Sequence, residues 1–112
     1  FAESGYHSLW RAEAVDFYMH RMIYLYVRHT VSDYAQWKEG FDMHFSAREA
    51  GGATRAVLVL RDVEHPNEVI VVLGWHDLAQ ARLYAKSVSW QAALERMGVV
   101  GVPEVRFLEM VV

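Results

Sequence analysis

The sequence predicts an α+β domain in which a four-stranded antiparallel sheet carries helices on one face. Three observations predict it. Two β-branched runs, 56–60 and 69–73, flank a polar turn at Pro66-Asn67, the pattern of a hairpin. The second run is apolar at every position and reads as a central strand covered on both faces. Finally, a D-x-x-Q helix start occurs at Asp33 and again at Asp77, 44 positions later, so the chain reads as two related β-α-β halves.

The elements follow in order. Residues 23–29, Ile-Tyr-Leu-Tyr-Val-Arg-His, alternate as a half-buried strand does. Ile23, Leu25, Val27 and His29 then share one face, and Tyr24, Tyr26 and Arg28 the other. Asp33 caps a helix whose inward stripe holds Tyr34, Trp37, Phe41, either His44 or Phe45, and Arg48. Gly51-Gly52 ends it. Strands over 53–61 and 68–75 make the hairpin, and Asp77 caps a second helix. Lys86-Ser87 breaks that helix, and Ser89 can cap a further one carrying Trp90, Leu94 and Met97. Gly98 and Gly101-Val-Pro103 terminate it, and 104–111 forms the last strand. The order β-α-β-β-α-β is the ferredoxin-like split motif. Helices on one side leave the other sheet face uncovered, with Tyr24, Tyr26 and Phe107 expected on it. An apolar face of that kind meets a partner, and a homodimer packed sheet to sheet is the simplest one.

Composition narrows the function. A chain of 112 residues is read as one domain over 22–112 behind an N-terminal extension, 1–21. The net charge of −3, with Lys and Arg scattered, argues against nucleic acid. Without cysteine there is no disulfide, thiolate metal site or cysteine nucleophile. No apolar run approaches the roughly 20 residues that span a bilayer, so no membrane partner is expected, and a soluble cytoplasmic protein is the default. The extension begins with Phe1, and Leu9, Trp10, Ala14, Phe17 and Tyr18 recur near helical spacing after Ser8. A native helical extension, a processed product and added sequence are the three readings; the density of aromatics favours the first.

The stretch Tyr-Val-Arg-His-x-Val-x-Asp-Tyr-x-x-Trp-Lys at 26–38 resembles the dimeric α/β-barrel superfamily, in its antibiotic biosynthesis monooxygenase-like branch. Phe41-Asp42, Pro-Asn-Glu-Val at 66–69, Trp75-x-Asp77 and the tail 98–109 share the resemblance, which covers roughly 22–110. It implies a homodimer and a cofactor-free enzyme that deprotonates an electron-rich aromatic or polyketide-like substrate, for oxygenation or cyclisation. The superfamily also holds isomerases and haem-degrading enzymes, and fold alone does not choose among them.

The chemistry-bearing residues are few. His44, on the inward stripe, can act as a base on a phenol or an activated C–H acid; at the helix edge it would be only half exposed. Trp37, Trp75 and Trp90 can stack on a planar ligand, and their indole N–H groups can donate to it, although tryptophans more often fill small cores. Whichever of Arg28 and His29 faces the helices can hold an enolate or phenolate oxygen. The other lies on the surface, where Arg28 would pair with a carboxylate such as Glu109. Tyr84 can present its hydroxyl or serve as a core tyrosine. No histidine pair has metal-ligand spacing, 78–97 has no histidine for haem, and no glycine-rich loop offers a phosphate cradle, so neither metal nor cofactor is expected. Two readings result: a cofactor-free enzyme using His44, or a non-catalytic homodimeric binding or interaction module whose aromatics are core.

Overall fold

A computed structural model of the chain describes residues 22–111; the expected N-terminal extension lies outside the described residues. Strands β1 (Ile23–Val31), β2 (Ala53–Arg61), β3 (Glu68–Trp75) and β4 (Val99–Glu109) form one sheet in the order β2-β3-β1-β4. Each neighbouring pair is antiparallel. Helices α1 (Tyr34–Met43), α2 (Phe45–Gly51), α3 (Leu78–Ala85) and α4 (Val88–Arg96) fill the two crossovers. The fold is the ferredoxin-like α+β arrangement, with β1 and β3 central.

Strand alternation decides which side chains meet the helices. Leu25, Val27, His29 and Val31 of β1 and Val69, Val71, Leu73 and Trp75 of β3 are all buried on that side. On the opposite face of β3, Ile70 and Val72 stay half-buried, so the central strand is fully covered on one face only. Phe107 departs from expectation. It pairs with Leu25 and therefore faces the helices, where the guanidinium carbon of Arg82 lies 5.9 Å from its ring centroid. The open face instead carries Tyr24, Leu58, Val72 and Leu108, which line a shallow groove.

Both aspartate caps form: Gln36 N–H donates to Asp33 Oδ2 at 3.3 Å and Gln80 N–H to Asp77 Oδ1 at 2.8 Å. The Gln36 side chain does not fold back to complete a box; its amide donates to the Arg96 carbonyl at 3.1 Å and ties α1 to α4. Ser87, not Ser89, caps α4, its Oγ accepting from Trp90 N–H at 3.1 Å. That register turns Trp90, Ala93 and Leu94 inward. Strand β4 begins five positions before the expected start at 104. Gly98 and Gly101, both at φ 76°, make the bends that bring 99–103 alongside β1. Pro103 is tolerated there because β4 is an edge strand.

The expected single helix over 34–51 is interrupted at His44. His44 N–H reaches the Gly40 and Phe41 carbonyls at 3.1 and 3.2 Å, a tightened turn. The Phe41 carbonyl is then taken by Arg48 Nη1 at 2.7 Å. The break rotates His44 inward, to 8% exposure, and leaves Phe45 at 40%.

Candidate functional site: a donor-lined cavity between sheet and helices

The helix-covered side of the sheet does not close completely. Between β1, β3 and the four helices lies a cavity whose apolar wall is built by Val27, Val71, Leu73, Leu94 and Met97. The rings of Trp37, Phe41, Tyr84 and Trp90 complete its lining together with His29, His44 and Arg48. The cavity has a volume of about 20 Å³ and is partly open to solvent.

Five of the seven residues singled out in the sequence therefore meet here: His29, Trp37, His44, Tyr84 and Trp90. Two do not. Arg28 lies on the open face, where its Nε pairs with Glu68 at 2.6 Å rather than with Glu109. Strand alternation is the reason: His29 takes the inward direction, and cross-strand pairing sets Arg28 beside β3 and Glu109 beside Ile23. Trp75 is fully buried behind the cavity, its ring 4.9 Å from that of Tyr84, and contributes to the core instead of the lining.

Aromatic contacts hold the lining in place. Trp37 stacks on Phe41 at 4.9 Å between centroids and tilts against His29 at 5.5 Å. Tyr84 lies 5.9 Å from His44 and 6.0 Å from Trp90. Among these rings the polar atoms are unmet. Both ring nitrogens of His29, Nε2 of His44 and Nε1 of Trp37 are buried with no hydrogen-bond partner among the described residues. Buried polar atoms are normally paired, so four on residues lining one cavity mark a place built for polar contact.

Burial sets the protonation states. His29 is lowered from 6.5 to about 4 by desolvation, so its imidazole is neutral at physiological pH. His44 is lowered too, first by burial and then by the positive charges of Arg48 and Arg96. Burial pushes the Tyr84 hydroxyl up, keeping it protonated. His44 also lines a second, outer groove formed by Gln36, Glu39, Gly40, Met43, Ala93 and Arg96. One imidazole thus stands between the interior cavity and the surface.

The lowered value of His29 has a consequence for stability. The unfolded chain takes up this proton as pH falls through about 6.5, the folded chain only near 4, so the unfolded state binds more protons in between. Stability is complete above about 6.5 and should decline by up to about 3 kcal/mol as pH drops towards 4. Urea denaturation at a series of pH values checks this. The His29→Leu variant should show a flatter slope across that window; an equally steep slope would assign the decline to other groups.

Arg48 is the residue that sequence reasoning left without a role. Its spacing from Phe41 and His44 placed it on the inward stripe, but a buried arginine without a nearby carboxylate has no signature in a single sequence. It is only 4% exposed, with its guanidinium carbon 3.9 Å from the Phe41 ring centroid.

No family sequence model matches the chain, and no curated protein does. Solved structures do match. One from Bordetella bronchiseptica, named for the antibiotic biosynthesis monooxygenases, superposes with a TM-score of 0.70 at 18% identity, covering 81% of this chain and 98% of that one. SnoaB from Streptomyces nogalater, a cofactor-independent oxygenase, gives 0.65 at 15% identity, covering 80% and 93%. A protein from Caulobacter crescentus, also named for the antibiotic biosynthesis monooxygenases, gives 0.64 at 16% identity, covering 88% and 98%. The expected resemblance thus holds for the fold: this chain has the ferredoxin-like fold of the antibiotic biosynthesis monooxygenase-like proteins.

Proposed function

We propose that the cavity is the active site of a cofactor-independent enzyme that oxygenates or cyclises an aromatic, polyketide-like molecule, with His44 as its base. The observation that carries this is the set of unmet polar atoms in an otherwise aromatic and aliphatic lining. A ligand with oxygen functions would satisfy them, and the rings would orient its plane. His44 is neutral and has Nε2 free to accept a proton from a phenol or an activated C–H group. Because His44 also borders the outer groove, the proton has a route to solvent. Charge left on the substrate oxygen is met by N–H groups of Trp37 and neutral His29, fixed in place before the reaction. In the oxygenase branch the substrate supplies every electron: a ring CH₂ and O₂ become a ring C=O and water, with no external reductant. The fold shared with SnoaB supports this branch. The open sheet face, with Tyr24, Leu58, Val72 and Leu108, is proposed as the surface where a second copy packs.

The narrowness of the cavity favours a second reading, a non-catalytic binding module, since about 20 Å³ accommodates little more than one water. Incubation of the protein with an anthrone in a closed oxygen electrode, with a chelator present, separates the readings. Oxygen uptake equal to substrate loss is expected. A cyclised product formed without oxygen would select the cyclase branch, and unchanged substrate would leave the binding module. Light scattering on the same sample should report a dimer, and a bare monomer would remove that part of the proposal.

A further inference from the structure

The cavity carries a charge that no carboxylate among the described residues pairs with directly. Arg48 stays protonated at any physiological pH even though burial lowers its pKa. Among the described residues, no aspartate or glutamate lines the cavity. The nearest acidic influence, Asp42, is engaged by Lys38 at 2.7 Å, and no carboxylate among the described residues forms an ion pair with Arg48. One of its five N–H groups goes to the Phe41 carbonyl. That bond caps the end of α1, a task for which a single neutral donor would suffice. With both histidines neutral and Tyr84 protonated, the lining bears one net positive charge in an apolar, aromatic surround. Burying an unpaired cation is costly, and a fold keeps one where a partner arrives to meet it.

We propose that the molecule taken up by this cavity is an aromatic carboxylate, and that Arg48 receives its anionic head. This rests on reading the cavity as a ligand site. A single charge calls for a monoanion rather than a phosphate. A planar two-oxygen head matches the guanidinium fork, and a carboxylate is ionised throughout the physiological range in which Arg48 is charged. A phenol, neutral until deprotonated, would leave the cation unmet on binding. The ring of the ligand goes to Trp37, Phe41, Tyr84 and Trp90, and the unmet N–H groups of Trp37 and His29 have acceptors to meet.

The test is an NMR titration of the whole chain with benzoate and with benzamide, isosteres that differ in charge, reading the indole N–H resonance of Trp37. In the unmodified protein benzoate should bind tighter by about tenfold or more, the scale of a hydrogen bond to a charged group. The preference should vanish in Arg48→Met and persist in part in Arg48→Lys, whose amide dispersion also reports folding. Equal binding of both probes would overturn the carboxylate proposal while leaving the cavity a ligand site. So would a benzoate preference that survives in folded Arg48→Met. If neither probe moves the Trp37 resonance, the ligand site itself fails. The comparison in the unmodified protein decides the matter even if a variant does not fold.

Discussion

Replacing His44 by alanine is expected to lower turnover by about 10²–10⁴-fold, the usual worth of a positioned general base, while the protein stays folded. The expectation follows from where His44 sits: inside a break between two helices, with Nε2 unmet and no side-chain hydrogen bond capping the helix that follows. Little structure depends on the imidazole, so its loss should fall on kcat rather than on the far-ultraviolet circular dichroism. The depressed pKa adds a second readout. The base form persists to lower pH than an ordinary histidine, so the acid limb of the kcat/KM profile should lie below about 6.5. Turnover that survives in the alanine variant would remove His44 as the base. A large drop in Tm accompanying the lost activity would give it to the core.

Trp75→Ala should do the reverse. Its side chain is fully buried, pairs across the sheet with Ile23 and Ala53, and packs against Tyr84. The backbone of α2 comes close as well, since a Cβ added at Gly51 would lie 3.6 Å from the indole. Truncating such a side chain costs about 3–5 kcal/mol, because the surrounding sheet and helices cannot collapse into the space. For a domain of this size that lowers Tm by well over about 10 °C. Trp75→Phe should recover much of the loss, as it restores an aromatic ring and removes an indole N–H with no partner among the described residues. A thermal melt of the alanine variant within a few degrees of the unmodified protein would refute the core role. The two substitutions together separate chemistry from packing within one hydrophobic cluster.

The strand and helix order was legible because local signals agreed with one another. Alternation in 23–29, the Pro66-Asn67 turn and the two Asp caps each specify an element through neighbours in sequence, and the structure realises all of them. Where expectation and structure part, local contacts account for some differences, as when Ser87 rather than Ser89 meets Trp90 N–H, and pairing between strands for others. Phe107 lies on the helix side because it pairs with Leu25, a β4–β1 register that no short window encodes. The helix broke at His44 with the carbonyl of Phe41 taken by a side chain seven residues on.

The candidate site divides along the same line. Sequence alone determined which residue types could do chemistry here, a few histidines, tryptophans and one tyrosine without cysteine or metal-ligand spacing, and that His29 and Arg28 must point apart. Only the tertiary structure decided that His29 is the inward one, that Trp75 stands behind the cavity, and that Arg48 joins the wall as an unneutralised cation. The reason is physical. Periodicity ranks faces by hydrophobicity, which identifies a core, whereas the charge balance of a cavity is a sum over side chains from strands and helices far apart in the chain. That sum exists only once the sheet has set them around one space.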